Sequence, residues 1–178
     1  MSGAPGLSSM HAALIRAVPD FPKTGVLFRD IGPLLADPVG FAAALDALLA
    51  PWRAAPPALF CGIESRGFIF AAAMAHALGC GFAPIRKPGK LPGPLLRESY
   101  SLEYGSDSLE LQADAIEAGQ RVVIVDDVLA TGGTLAAAAR LLERGGAQLV
   151  GASVLIELAE LKGRQRCAEL DVHAVLRY

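Results

Sequence analysis

Apolar and polar positions along the chain fall into short alternating blocks rather than one long stripe. Apolar runs of strand length at 58–63, 81–85, 121–125 and 148–156 alternate with helix-length segments at 68–78 and 134–144, and 172–176 reads as a last strand. Glycines close both helices, Gly79 the first and Gly145-Gly146 the second. Upstream, Ser8 and Ser9 can cap a short helix to about Val18. Residues 19–35 mix proline, glycine and charge without a period, and Asp37-Pro38 opens a helix to about Trp52, since proline is tolerated in a first turn. Residues 87–94 hold three prolines and two glycines and predict an exposed, mobile loop. Segments 99–104 and 108–112 predict a hairpin about Gly105. Strand alternating with helix predicts an α/β fold, a central, mostly parallel sheet flanked by helices, in a single domain over 1–178 without repeat or linker. Such sheets bind ligands beyond the carboxyl ends of their strands. The chemistry is therefore expected in the loops at 64–67, 86–94, 126–134 and 157–158.

Composition narrows the class. The 178 residues suffice to bury a core without disulfides or metals. Hydrophobic residues make up 53%, but much of this is alanine. The most apolar stretch, 68–85, is broken by His76, Gly79, Gly81 and Pro84, whereas a membrane span needs roughly 20 unbroken apolar residues. Residues 1–10 lack the basic start and apolar centre of a signal peptide. A cytoplasmic protein without membrane attachment is expected. The net charge of −2 and the lack of a basic run give no nucleic-acid surface. Cys61, Cys80 and Cys167 lack zinc spacing and read as reduced, buried thiols. His11, His76 and His173 are scattered and receive no role.

The strongest chemical signal is the run Val122-Val123-Ile124-Val125-Asp126-Asp127-Val128-Leu129-Ala130-Thr131-Gly132-Gly133-Thr134. Four apolar residues make a buried strand, two carboxylates end it, and a small glycine-containing turn leads into a helix. The turn from Ala130 to Thr134 offers backbone N–H groups at a helix N-terminus, where the dipole favours a phosphate. Glycine permits close approach, and the Thr131 and Thr134 hydroxyls add donors. Asp126 and Asp127 would repel that phosphate and suit hydroxyl donors instead, such as two ribose hydroxyls, or a magnesium-bound ligand. Helix capping alone would account for one such residue, not for two acids followed by five small or hydroxylated ones. Neither GxxxxGK[ST] nor GxGxxG is present.

This run resembles the phosphoribosyl-pyrophosphate motif of the type I phosphoribosyltransferases. Four further stretches resemble the adenine branch of that family: Asp20-Phe21-Pro22 through Gly25-Val26-Leu27-Phe28-Arg29-Asp30-Ile31; Glu64-Ser65-Arg66-Gly67-Phe68; Ile85-Arg86-Lys87-Pro88-Gly89-Lys90-Leu91-Pro92-Gly93; and Tyr100-Ser101-Leu102-Glu103-Tyr104-Gly105. Glu157-Leu158 with Leu161-Lys162-Gly163-Arg164 adds a weaker fifth. The similarity runs from about Pro19 to the C-terminus.

The resemblance implies the type I fold, with an N-terminal base-binding hood (about 1–35) and a flexible catalytic loop (about 87–104). It implies transfer of the 5-phosphoribosyl group from phosphoribosyl pyrophosphate to N9 of adenine, giving AMP and pyrophosphate in purine salvage. Asp126 and Asp127 would hold the ribose hydroxyls, and Ala130, Thr131, Gly132, Gly133 and Thr134 the 5′-phosphate. Glu64, Ser65, Arg66 and Gly67 would form the pyrophosphate loop, where relatives often hold a non-proline cis peptide. Many relatives have Asp at the position of Glu64, and little effect of that side chain is expected. Arg66, Arg86, Lys87 and Lys90 would grip pyrophosphate, with Tyr104 joining when the loop closes and excludes water. Adenine would lie between Phe28 and Leu158, its 6-amino group and N1 read by the backbone of Leu27 and Arg29. Arg66 and Lys87 would stabilise the leaving group, and Glu103 would exchange a proton at N7 of adenine. Magnesium would be held mainly through the substrate rather than by a protein cage. A homodimer is carried over from the family.

The phosphate motif alone would also allow xanthine, hypoxanthine, guanine or orotate as base; the Phe28-Arg29 and Glu103 segments favour adenine. A non-catalytic regulator that senses the sugar diphosphate and binds nucleic acid would need a basic surface or an added segment, and the sequence pI of about 5.9 argues against it.

Overall fold

The computed structural model describes residues 12–101 and 106–178. Apolar alternation builds the centre. Strands β3 (Leu59–Ile63), β4 (Gly81–Ile85), β7 (Arg121–Leu129), β8 (Gln148–Glu157) and β9 (Val172–Arg177) form one sheet in the order β4-β3-β7-β8-β9. All four pairings are parallel. Successive side chains point to opposite faces. Leu59, Cys61, Ile63, Val122 and Ile124 therefore enter one core, while Phe60, Val123 and Val125 enter the other. Helices α2 (Pro38–Leu49) and α3 (Gly67–Leu78) cover the second face, and α4 (Gly133–Arg144) covers the first together with a hairpin of β5 (Leu95–Ser101) and β6 (Ser106–Gln112).

Local signals act as expected in this frame. Asp37 caps α2 by accepting from Gly40 N at 2.6 Å, ahead of Pro38 in the first turn. The expected helix stops at Leu49, and a 3-10 turn, Ala50–Trp52, completes the segment. Gly79 closes α3 in the left-handed conformation, with φ +66°. Trp52 donates from Nε1 to Ser153 Oγ at 2.7 Å, and Ser153 passes its own hydrogen to Leu48 O at 3.0 Å, so the polar atoms under the sheet are satisfied.

Three expectations are corrected. The segment up to Val18 is not a helix to its end: Arg16–Pro19 is strand β1, and the aperiodic stretch behind it contains strand β2 (Leu27–Asp30) and the short helix α1 (Gly32–Ala36). The cause is tertiary: β1 and β2 pair antiparallel, with Val18 opposite Phe28 and Arg16 ion-paired to Asp30. The capping serines Ser8 and Ser9 lie outside the described residues. The hairpin strand begins at Leu95 rather than at 99, because Leu96 and Arg97 pair with Leu111 and Glu110. Residues 102–105, with Glu103, Tyr104 and the turn expected about Gly105, lie outside the described residues. Finally, β7 does not end at Val125. It runs to Leu129, because pairing with β8 up to Glu157 satisfies the backbone through the two aspartates.

Candidate active site

The strand order turns back on itself between β3 and β7, since the chain leaves β3 towards β4 on one side and later fills β7 on the other. Loops beyond such a switch point diverge and leave a crevice. A cleft of about 330 Å³ lies there, lined by Glu64, Ser65, Arg66, Lys87, Asp126, Asp127 and the turn from Val128 to Leu135. Three separate stretches of sequence thus meet in one place.

The phosphate turn is shaped by its glycines. Gly132, the residue before α4, has φ +80°, and a Cβ there would lie 2.3 Å from the carbonyl oxygen of Gly163. Gly163 in turn leaves no room for a Cβ, which would sit 2.2 Å from Ala130 O. Two glycines back to back lock the turn against the 3-10 segment Gly163–Cys167. That segment is tied down by Arg164, which grips the buried carboxylate of Glu157 at 2.8 and 2.9 Å and donates to Val172 O at 2.8 Å. The ELxxLxGR stretch, the weakest part of the sequence signal, is therefore a brace running from the base side of the site to the phosphate turn.

The aspartates stand on strand β7 with Asp127 buried and Asp126 half-buried. Asp126 Oδ1 accepts from its neighbour's backbone N at 2.9 Å. Burial pushes both carboxyls up, and for Asp126 the adjacent Asp127 charge adds to the effect. Arg66 Nη2 lies 2.8 Å from Asp127 Oδ2, but that oxygen receives no well-directed hydrogen bond. It is a buried acceptor held ready for a donor. The Arg66 guanidinium also covers the Phe28 ring, 5.0 Å from its centroid. Arg66 thus bridges the two groups expected to hold ribose and base.

The side chain of Glu64 departs from expectation. Little effect is expected of it, but it accepts from Lys87 N at 2.9 Å, from Arg86 Nε at 3.3 Å and from Lys90 Nζ. Burial acts to raise its pKa, yet the hydrogen bonds from Lys90, from the Lys87 backbone and from Arg86 outweigh it and bring the carboxyl down to about 2. The Glu64-Ser65 peptide is cis, as the resemblance implied. A depressed folded-state value contributes stability that is present above the unfolded value of about 4.5 and lost as pH falls through about 2. Glu64→Gln is therefore expected to flatten the acid limb of a pH–melting-temperature profile between those values, where the wild type loses stability steeply; an unaltered limb would show that the carboxylate is not the coupled group.

Lys87, in the same cleft, donates to Tyr100 Oη at 2.9 Å and pairs with Asp107. Burial works against its charge, but Asp107 and Tyr100 prevail and raise its pKa. The loop after β4 is further moored by Gly89 N to Glu110 Oε2 at 2.9 Å and by Arg86 Nη1 to Lys90 O at 3.1 Å. Glu110 itself is fully buried beneath Arg97. Asp107 and Glu110 were not singled out in the sequence; period-two register in the hairpin, which sets Asp107 opposite Tyr100, was the available signal.

A second cleft of about 500 Å³ joins Leu27, Arg29 and Leu158, three of the four residues expected to hold the base, with Thr131, Leu161 and Tyr178; the fourth, Phe28, does not line it. Phe28 lies edge-on to Phe21, with ring centroids 5.1 Å apart, and Arg29 stacks 3.9 Å above Tyr178. Among the described residues β2 pairs only with β1, so one of its edges keeps backbone groups for another partner. Leu27 and Arg29, two apart, present their N–H and C=O to the same edge. Tyr178 was missed: a lone aromatic at the end of the sequence carries no signal until β9 places it beside Leu158.

Comparison with known proteins agrees with this geometry. The phosphoribosyl transferase domain profile matches residues 46–175. The adenine phosphoribosyltransferase of Synechococcus sp. is 57% identical over 166 residues, 92% of this chain and 95% of the relative. The chain belongs to the adenine phosphoribosyltransferase family. Among solved structures of the family, that from Rhodothermus marinus is 50% identical and superposes with a TM-score of 0.91 over 95% of this chain and 97% of the other. The Saccharomyces cerevisiae structure, determined with an imino-altritol bisphosphate and adenine, is 41% identical with a TM-score of 0.89, covering 94% and 97%. Both alignments reach well beyond the residues that the domain profile matches.

Proposed function

We propose that this protein transfers the 5-phosphoribosyl group of phosphoribosyl pyrophosphate to N9 of adenine, releasing AMP and pyrophosphate for purine salvage. The observation that carries this reading is the junction of the Asp126-Asp127 pair, the glycine-locked phosphate turn and the Glu64–Gly67 loop in one cleft at the switch point. Each part suits one part of the substrate. The turn's N–H groups and Thr131 and Thr134 take the 5′-phosphate. Asp126 and Asp127 accept from the ribose hydroxyls, which supply the donors that Asp127 Oδ2 lacks. Arg66 and Lys87, which line the cleft, take the pyrophosphate, with Arg86 and Lys90 held beside them on Glu64.

Bond breaking leaves positive charge on the ribose and adds negative charge to the departing pyrophosphate. The cations of the cleft stabilise that charge more strongly in the transition state than in the substrate. Adenine stacks against the Phe28 ring, opposite Leu158. A 6-amino purine donates where a 6-oxo purine accepts, so backbone reading by Leu27 and Arg29 leaves the wrong base with unpaired groups.

Magnesium fits the donor set as a substrate-borne ion. Among the described residues no three acid, histidine or cysteine side chains converge, while the two aspartates stand at the rim within reach of a hydrated ion on the ribose and pyrophosphate. When bound it neutralises the leaving group. Glu103, outside the described residues, is the proposed proton partner at N7. Glu103→Gln is expected to lower kcat about a hundredfold with the affinity for the sugar diphosphate nearly unchanged; wild-type turnover would remove its proton role. A homodimer and a cytoplasmic location complete the proposal. No helix among the described residues is long and apolar enough to cross a membrane.

The reaction is tested by incubating the protein with the sugar diphosphate and magnesium, in parallel with adenine, hypoxanthine, guanine, xanthine or orotate, and resolving the nucleotide products by chromatography. AMP from adenine alone is expected. A product mainly from another base would overturn the adenine pocket.

A further inference from the structure

Tyr100 belongs to the stretch that carries Glu103, yet the reaction above gives it no role. It is 7% exposed, its ring packed in the core under the hairpin, on β5 directly opposite Asp107 of β6. Its hydroxyl meets three partners, two of which, Lys87 and Thr134, line the cleft. Lys87 Nζ donates to it at 2.9 Å, Thr134 Oγ1 donates at 3.3 Å, and it donates to Asp107 Oδ2 at 3.2 Å. A phenolic oxygen has one hydrogen and two acceptor sites, so this environment uses its full capacity. Among the described residues Tyr100 is the side chain hydrogen-bonded both to the loop after β4 and to the phosphate turn.

Those two partners face opposite ends of the same ligand. Lys87 belongs to the pyrophosphate side and Thr134 to the 5′-phosphate side, and both line the cleft. A lysine ammonium on a four-carbon stem is a poorly directed charge unless something holds it. We propose that Tyr100 is a positioning residue whose hydroxyl, backed by Asp107, sets the Lys87 ammonium at a defined distance from Thr134 and so matches the cleft to the span between the two phosphate ends of the sugar diphosphate. Two of the three ammonium hydrogens lie on Tyr100 and Asp107, which aims the third at a pyrophosphate oxygen. The tyrosine hydroxyl also accepts from Thr134 Oγ1, at the start of the turn that takes the 5′-phosphate. This inference rests on the phosphoribosyl-transfer reading above.

The test is Tyr100→Phe, which keeps the buried ring and removes only the oxygen. Binding of phosphoribosyl pyrophosphate with magnesium, without base, is measured by calorimetry, and steady-state kinetics are followed with adenine. Kd and KM for the sugar diphosphate are expected to rise about tenfold. KM for adenine and the melting temperature should stay near wild type, and kcat should change less than threefold. Asp107→Asn, a change on the hairpin surface side of the same lysine, is expected to shift the same two constants in the same direction and serves if the tyrosine variant folds poorly. An unchanged Kd in both variants would overturn the proposal. So would equal weakening of both substrates with a lowered melting temperature, which marks a packing role. If the wild type made AMP from no base, the reaction reading would fall, while the calorimetric comparison would still decide the role of Tyr100.

Discussion

Replacing Asp126 by asparagine is expected to lower kcat/KM about a thousandfold while raising the melting temperature by a few degrees. On the proposed reading, activity falls because an acceptor for a ribose hydroxyl becomes an amide, and losses of roughly 10²–10³ follow removal of one such group in a preorganised site. Stability rises for a separate reason. Burial and the adjacent Asp127 charge raise the folded-state pKa of Asp126 above its unfolded value. A carboxyl raised in this way costs nothing at low pH, where both states hold the proton. Stability is lost as pH rises from the unfolded value of 3.8 through the folded one, because the folded protein must then carry a charge it disfavours. At neutral pH asparagine removes that charge without changing shape. A gain of about 1 kcal/mol, the usual yield of relieving a functional site, corresponds to roughly 2–4 °C for a domain of this size. Paired measurements of turnover and of melting temperature at pH 5 and pH 8 check the claim. The gain should be larger at pH 8, and a variant that is both inactive and less stable at that pH would show that Asp126 braces the strand rather than waiting for a ligand.

The second large effect is structural. Gly132→Ala places a methyl group 2.3 Å from Gly163 O at a position with φ +80°. Backbone strain of this kind costs about 1–3 kcal/mol, and neither side of the contact can yield, since both are main chain. The turn must separate from the Gly163–Cys167 segment, so its N–H groups lose their aim at the 5′-phosphate. Loss of about 3 kcal/mol of stability and a rise of at least about a hundredfold in the KM for the sugar diphosphate are expected. Gly119 offers a contrast: it also has positive φ, +77°, but a methyl group added there would meet nothing within 4 Å. Gly119→Ala is expected to show only the strain cost, with unchanged kinetics. Chemical denaturation and steady-state assays on the pair separate the two; equal kinetics for both variants would show that the back-to-back glycines do not hold the phosphate turn in register.

The parts of the fold legible in the sequence are those where local physics and tertiary packing agree. Residues 122–125 are apolar on both faces and could only be a central strand, and Gly79 marks the end of α3 because a left-handed cap needs a residue without Cβ. The hood was misread for the opposite reason. Nothing local distinguishes Arg16–Pro19 from a helix end; only the distant pairing with Leu27–Asp30 makes it a strand. The same holds in the site. Thr131, Gly132 and the two aspartates announce themselves because one contiguous run supplies acids, hydroxyls and glycines together. Asp107, Glu110 and Tyr178 are single residues in ordinary surroundings, and they acquire meaning only from what the chain folds against them.

The sequence by itself determined the parallel α/β sheet, the phosphate turn and the set of cations and acids around it, since these follow from periodicity and from chemistry concentrated in short runs. Tertiary structure alone decided how those charges are paired: Arg66 on Asp127 and Phe28, the loop cations on Glu64, and Lys87 on Tyr100 and Asp107. Partners in such pairs are chosen by proximity across the switch point, and distance along the chain carries no record of distance in space.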